Sequence, residues 1–99
     1  MVKLVALFKK PTDTISFEEH YNNVHVPLVK KMPGLKQLEL SKVTGGPMTT
    51  PQFYRVAEMY FDNQQALNAA MMSPDGIAAA KDLMSFAKDI VQLFFAATE

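Results

Sequence analysis

The two histidines of this sequence are the side chains best suited to move a proton. His20 and His25 lie in the stretch FEEHYNNVHVPL, and Tyr21 precedes His25 by one helical turn. Imidazole titrates near neutral pH, so a partly buried histidine can act as an acid or a base without a metal. Pro27 removes a helical amide, which predicts a kink and a free backbone carbonyl beside His25. These features favour His25 as a proton-transfer residue that Tyr21 or the free backbone carbonyl orients.

The same histidines lack the spacing of a metal site. Metal-binding histidines on a helix are three or four residues apart, whereas residues five apart diverge by roughly 140° on an ideal α-helix. The sequence has no third histidine and no cysteine to complete a ligand set. We therefore expect no bound metal, with His20 and His25 on opposite edges of one apolar stripe. A structural, hydrogen-bonded role is the interpretation for His20 and an open alternative for His25.

The hydropathy pattern predicts the elements that position these residues. Alternating apolar residues predict strands, and apolar residues at helical spacing predict helices. The predicted strands are Val2 to Lys9, Leu35 to Val43, Phe53 to Phe61 and Asp89 to Thr98. The first helix is predicted to begin at Ser16, in a capping box with Glu19, and to end at Gly34. The second helix begins at Asp62 or Asn63 and ends at Met72. The third helix is capped by Ser73 and begins at Pro74. The last helix, Pro74 to Ala87, is expected to keep one side apolar through Ile77, Ala80, Leu83, Met84 and Ala87.

The element order, β-α-β-β-α-β, indicates an α+β protein with a ferredoxin-like fold and an antiparallel sheet. A chain of 99 residues is long enough for one domain, residues 1–99. Helices can cover only one face of such a sheet, yet Val5 and Leu7 alternate onto a second face that is apolar in its middle. A second copy packed sheet to sheet is the simplest cover, which predicts a symmetric homodimer.

The composition excludes several classes of partner. Lysine plus arginine and aspartate plus glutamate each number 10, so no excess charge is available to neutralise phosphates. We therefore expect neither nucleic acid nor a membrane as a partner. The sequence contains no cysteine, which fits a reducing compartment, and it shows neither a signal-peptide core nor a spanning helix. These features predict a cytoplasmic protein without disulfides.

Five residues of the first helix are spaced in a way that resembles the signature of the EthD family, small proteins named for their association with ethyl tert-butyl ether degradation. Phe17, Tyr21, His25, Pro27 and Leu28 form the pattern F-x-x-x-Y-x-x-x-H-x-P-L and are followed by MPG. The predicted elements also follow the family's order. The resemblance implies a ferredoxin-like, dimeric α/β barrel with a pocket between sheet and helices. It also implies that His25 is the functional histidine, with Tyr21 beside it.

The resemblance leaves the chemistry open, because related dimeric barrels include monooxygenases, polyketide cyclases, isomerases and haem-degrading enzymes. We expect a cofactor-independent enzyme of oxidoreductase, cyclase or isomerase type that binds a small apolar or aromatic molecule and degrades or tailors organic compounds. One alternative is a non-catalytic ligand-binding or accessory protein of an oxidising system, and another is a haem protein with an axial histidine facing a larger cavity. The expected catalytic residues are His25 and Tyr21, and the expected ligand contacts are Phe17, Leu28, Tyr54 and Tyr60. Alternation along the third strand places both tyrosines on one face, opposite Arg55.

Overall fold

The computed structural model describes residues 1–99, which form an antiparallel sheet with helices on one face. None of the helices is long and apolar enough to cross a bilayer. In chain order, the elements are β1 (Val2–Lys9), α1 (Thr14–His20), a π-helical segment (Tyr21–His25), α2 (Val26–Val29), β2 (Gln37–Lys42), β3 (Phe53–Phe61), α3 (Gln64–Met72), α4 (Pro74–Ala87) and β4 (Val91–Ala97).

The sheet has four strands in the order β2-β3-β1-β4, and every neighbouring pair is antiparallel. Ala6 at the centre of β1 lies opposite Ala57 of β3 and Leu93 of β4. This order and the α+β layering confirm the ferredoxin-like fold that the sequence predicts.

The core lies between the helices and the even-numbered side chains of β1. Phe8 and Phe61 from the sheet, together with Tyr21 and Leu67 from the helical layer, are almost completely buried. Paired residues on neighbouring strands share a face, so β3 turns Ala57, Met59 and Phe61 toward the same core. The helices therefore cover one face of the sheet with a continuous apolar layer.

The opposite face of the sheet carries apolar side chains that no helix covers. Val5 and Leu7 of β1 lie beside Val56 of β3 and Phe94 of β4 in the register of the sheet. Because side chains alternate across a strand, these residues point away from the helical layer. Phe94 is 42% exposed. The apolar second face predicted from the alternation of β1 is therefore present.

Most predicted helix boundaries agree with the structure, and the exception is the first helix. Asn63 and Ser73 cap α3 and α4 through side chains that accept hydrogen bonds from Ala66 and Gly76. The N-cap of α1 is Asp13, whose Oδ1 accepts a hydrogen bond from the Ser16 amide at 3.0 Å. The prediction of Ser16 as the cap is therefore wrong, because an earlier aspartate provides the capping oxygen.

The buried face of α4 is rotated relative to the predicted one. The structure buries Gly76, Ala79, Leu83 and Ala87. Ile77 and Met84, both expected inside, are instead 45% and 44% exposed. Small residues face inward because α4 passes close to α3, where a Cβ on Gly76 would lie 2.0 Å from the carbonyl oxygen of Ala70. Close helix contact determines this face more strongly than side-chain hydrophobicity does.

Candidate functional site

A π-helical turn at Tyr21–His25 brings the two histidines to the same side of their helix. The amide of Val26 donates to the carbonyl of Tyr21, five residues earlier, instead of the usual four. Pro27 follows directly and has no amide to donate, which fits the predicted disturbance of the helix beside His25. The wider turn overturns the expectation that His20 and His25 diverge, since that expectation assumed an ideal α-helix.

Both histidines bind one carboxylate, that of Asp82 on α4. Nδ1 of His25 lies 2.9 Å from Oδ2 of Asp82. Nε2 of His20 lies 2.9 Å from Oδ1 and 3.1 Å from Oδ2 of the same residue. An ionised carboxylate only accepts hydrogen bonds, so the ring nitrogen that faces it is assigned the hydrogen and the role of donor. The structure therefore links the histidines through a residue that the sequence analysis missed.

Asp82, not Tyr21, orients the imidazole of His25. The rings of Tyr21 and His25 have centroids 6.2 Å apart, and the two side chains share no hydrogen bond. The expectation that Tyr21 fixes His25 is therefore wrong, because Asp82 occupies the hydrogen-bonding position at Nδ1. Asp82 lies 57 positions after His25, and no local sequence pattern marks it as a partner.

The electrostatic environment favours a neutral His25. Burial lowers the pKa of His25, and the hydrogen bond and negative charge of Asp82 oppose that decrease. Burial is the larger effect, so the pKa lies below the usual histidine value. With the hydrogen assigned to Nδ1, which faces Asp82, Nε2 has the lone pair of the neutral ring. His25 is thus arranged to accept a proton at Nε2.

An apolar cavity of about 100 Å³ lies between the sheet and the helices, and His25 is part of its wall. Hydrophobic residues account for 16 of its 18 lining residues, and neither lysine, arginine, aspartate nor glutamate lines it. The sheet side includes Ala6, Phe8, Ala57 and Met59, and the helical side includes Val26 and Leu83. This volume is several times what a single water molecule needs. The cavity suits a small, uncharged and mostly apolar molecule.

Tyr21 also lines the cavity, and its hydroxyl has no hydrogen-bond partner within the protein. Burial raises the pKa of Tyr21, so its phenol stays neutral at physiological pH. The guanidinium carbon of Arg55 lies 4.7 Å from the centre of its ring. The ring therefore forms a wall between the cavity and a charged cluster.

This charged cluster consists of Glu18, Lys42 and Arg55. Arg55 donates two hydrogen bonds to Glu18, one of them from Nε at 2.8 Å. These bonds are the main reason that the pKa of Glu18 is lowered to about 2. Nζ of Lys42 lies 3.5 Å from the same carboxylate. Glu18 is thus held as an ion outside the cavity, and no group of His, Asp and Glu side chains is arranged to hold a metal ion.

The four residues expected to contact a ligand do not line the cavity: Phe17, Leu28, Tyr54 and Tyr60. Phe17 is buried and stacks on Tyr21, with ring centroids 5.4 Å apart. Leu28 packs against the edge of the core. The hydroxyl of Tyr60 lies 3.4 Å from Glu39, away from the cavity.

A β-bulge explains the position of Tyr54. The pairing of β1 with β3 shifts register between Phe8 and Lys9, opposite Tyr54. As a result, Tyr54 contacts Phe17 of α1 while its neighbour Arg55 binds Glu18 of the same helix. Tyr54 and Arg55 therefore both face α1, and the prediction that they lie on opposite faces of β3 is wrong.

The fold and site together define a small ferredoxin-like protein with a histidine in an apolar cavity. A sequence model of the EthD domain matches residues 9–89. An 11.0 kDa protein of Rhodococcus erythropolis, encoded in the thcB-thcC intergenic region, is 33% identical over 95 residues, covering 96% of this chain and 92% of that protein. The chain belongs to the EthD family.

Solved structures agree with this assignment. An ethyl tert-butyl ether degradation (EthD) family protein from Bacillus halodurans is 40% identical and superposes with a TM-score of 0.96, covering 100% of this chain and 99% of its own. A dimeric ferredoxin-like protein from Thermobifida fusca is 19% identical, with a TM-score of 0.73 and coverage of 98% and 90%. SnoaB from Streptomyces nogalater, a cofactor-independent oxygenase, is 15% identical, with a TM-score of 0.71 and coverage of 99% and 92%. The last two comparisons show a shared fold.

Proposed function

We propose that this protein binds one small, uncharged, mostly apolar molecule in the cavity and that His25 exchanges a proton with it. The observation that carries the proposal is the position of His25, which lines an apolar cavity while Nδ1 of its imidazole is held by Asp82. Nε2, which has the lone pair, is the atom that exchanges the proton. Tyr21 contributes a wall of the cavity beside this base.

The arrangement supports general acid–base catalysis. Burial keeps His25 neutral near physiological pH, so its lone pair is available to a bound molecule. When Nε2 accepts a proton, the negative charge of Asp82 stabilises the resulting imidazolium. The base and its orienting carboxylate therefore provide both states that a proton-transfer cycle requires.

The proposed reaction class rests on the family and on the shared fold. Membership of the EthD family and the fold shared with a cofactor-independent oxygenase support a role in degrading or tailoring organic compounds, by oxidoreductase, cyclase or isomerase chemistry. The proposal includes no metal or haem, because Asp82 engages both histidines and the chain has no cysteine. A cytoplasmic location is part of the same proposal.

The proton-transfer step can be tested with a panel of neutral aromatic ketones, phenols and alcohols in D₂O. Proton NMR would measure protein-dependent exchange of carbon-bound hydrogen, and titration would measure binding. We expect His25→Ala to slow exchange tenfold or more, which corresponds to about 1.4 kcal/mol, and to shift the melting temperature by only a few degrees. Asn22→Ala, on the exposed side of the same segment, is the matched control and should exchange like the parent.

Two results would overturn this assignment. Equal exchange rates in the parent and in His25→Ala would show that His25 is not the base. Tight binding of panel members without exchange of any of them would favour the alternative, a non-catalytic binding or accessory protein. Unfolding of His25→Ala would assign a structural role, and His25→Gln would then measure whether a neutral polar side chain restores the fold without restoring exchange.

We also propose that the protein is a homodimer whose subunits pack through the second face of the sheet. Val5, Leu7, Val56 and Phe94 form an apolar centre there that no helix covers, and Phe94 remains 42% exposed whereas neighbouring side chains already bury Val5. The description of the T. fusca protein as dimeric supports the pairing of two subunits. Sedimentation at micromolar concentration should give twice the chain mass of 11.1 kDa. Phe94→Glu should shift the mass toward the monomer, and a monomeric parent protein would contradict the proposal.

A further inference from the structure

Asp82 lies between the cavity and the solvent, and His20 occupies its outer side. His25 is almost fully buried at the cavity wall, with a side chain 8% exposed, whereas the side chain of His20 is 33% exposed. His20 also lines a polar surface cleft with Asp13, Ser16, Glu19 and Asn23. One carboxylate therefore contacts a cavity imidazole and a surface imidazole at once.

Phe86 of α4 holds both imidazoles in this arrangement. Its ring centroid lies 4.5 Å from that of His20 and 5.1 Å from that of His25. The aromatic ring limits the rotation of each imidazole while Asp82 fixes the hydrogen-bonded edge. The geometry of His20 is thus as well determined as that of His25, although His20 does not line the cavity.

We propose that His20 is a positioning residue of this site: by donating a hydrogen bond to Asp82, it orients the shared carboxylate and sets how strongly His25 holds a proton. The inference rests on the proposed function only in treating His25 as the reacting base. It extends the site from the cavity to the surface cleft, where the solvent reaches His20.

The direction of the effect follows from charge sharing at the carboxylate. Asp82 stabilises a proton on His25, and a donor on its other oxygen takes up part of the negative charge. Positive charge on His20 further disfavours protonation of His25, and this contribution lowers the pKa of His25. Removing His20 should therefore strengthen the pull of Asp82, whereas neutralising Asp82 should weaken it.

Few other titratable or charged groups lie close enough to His25 to change its pKa. Asp82 is the titratable side chain that faces it from α4, His20 faces it from α1, and Tyr21 lies beside it in the π-helical segment. The sheet contributes only apolar side chains to the cavity wall around it. Arg55 and Glu18 lie beyond the ring of Tyr21 and bind each other.

NMR titration of the His25 imidazole in single variants tests the inference without any ligand. His20→Phe keeps an aromatic ring against Phe86 but removes the donor, so we expect the pKa of His25 to rise. Asp82→Asn removes the carboxylate charge, so we expect the pKa to fall. His20→Gln restores an uncharged donor and should return the pKa toward the parent value, while Asn22→Ala, which lies in neither the cavity nor the cleft, should leave it unchanged.

The opposite signs of the pKa changes expected for His20→Phe and Asp82→Asn distinguish a positioning role of His20 from a role in packing alone. A fall in the pKa of His25 in His20→Phe, or no change, would overturn the inference, as would a value in His20→Gln that matches His20→Phe. If no panel molecule exchanges hydrogen but these shifts occur, the proposed reaction fails and the coupling of the two histidines stands. If exchange occurs, its rate should follow pH with a midpoint moved upward in His20→Phe and downward in Asp82→Asn.

Discussion

Arg55 of β3 donates two hydrogen bonds to Glu18 of α1, which fastens the sheet to the helix that carries both histidines. The bonded Arg55 side chain is only 12% exposed, and that of Glu18 is 25% exposed. A planar guanidinium that meets a carboxylate in this way gives a well-defined orientation as well as attraction. The pair thus fixes α1 against the sheet two residues before His20.

Because of the Glu18–Arg55 pair, the free energy of unfolding should decrease as the pH falls. The pKa of Glu18 is about 2 in the folded protein, well below its ordinary value of 4.5. The stabilisation is therefore fully present above pH 4.5 and disappears as the pH falls toward 2. Glu18→Gln should lose about 1 kcal/mol at pH 7, a modest figure because solvent screens the pair, and much less at pH 2.5.

Thermal unfolding of Glu18→Gln and of the exposed control Glu19→Gln at both pH values measures this difference. A loss of 1 kcal/mol corresponds to a melting temperature lower by about 4–8 °C in a domain of this size. Equal losses for the two variants at pH 7 would contradict a specific role for the pair.

The unpartnered hydroxyl of Tyr21 predicts that its removal does not destabilise the protein. A buried hydroxyl without a partner loses its hydration without compensation, at a cost of about 1–3 kcal/mol. Tyr21→Phe keeps the stacked ring against Phe17 and deletes only that oxygen. Chemical denaturation should show equal or greater stability. A loss of more than 1 kcal/mol would indicate that the hydroxyl has a stabilising partner, with nearby Arg55 the first to examine.

Close contact between α3 and α4 predicts that one added methyl group at Gly76 strongly destabilises the protein. A Cβ at Gly76 would lie 2.0 Å from the carbonyl oxygen of Ala70 and 2.9 Å from Cα of Met71. Backbone atoms cannot move aside as a flexible side chain can, so Gly76→Ala should push the two helices apart and lose about 1–3 kcal/mol or more. Ala78→Gly, on the exposed side of α4, should lose only about 1 kcal/mol. A Gly76→Ala protein as stable as the parent would contradict this packing.

Local patterns predicted the elements well because their signals lie within a few residues. Asn63, Ser73 and Pro74 define the helix starts through their own side chains and dihedral preferences, and β3 was predicted with its full range of Phe53–Phe61. The histidine of the site was likewise predicted from its helix. These features depend on residues that are neighbours in the chain.

The missed features of the site depend on distant contacts or irregular backbone. Asp82 becomes a partner of His25 only when α4 packs on the first helical layer, so its own surroundings in the sequence give no sign of it. The bulge beside Tyr54 interrupts the alternation on which strand faces are assigned. Pro27 correctly predicts disturbed helix geometry beside His25, but its position in the sequence does not specify a π turn.

The turn at Tyr21–His25 contains one residue more than an α-helical turn. Deleting either asparagine there would return the segment to ordinary α-helical winding, and each residue of that winding turns by about 100°. The histidines would then be four residues apart, roughly 40° from one another around an α-helix, and both would still face Asp82. The π turn therefore accommodates the fifth residue of the spacing between His20 and His25. A further insertion at this turn should separate the two histidines, whereas the loss of one asparagine should not.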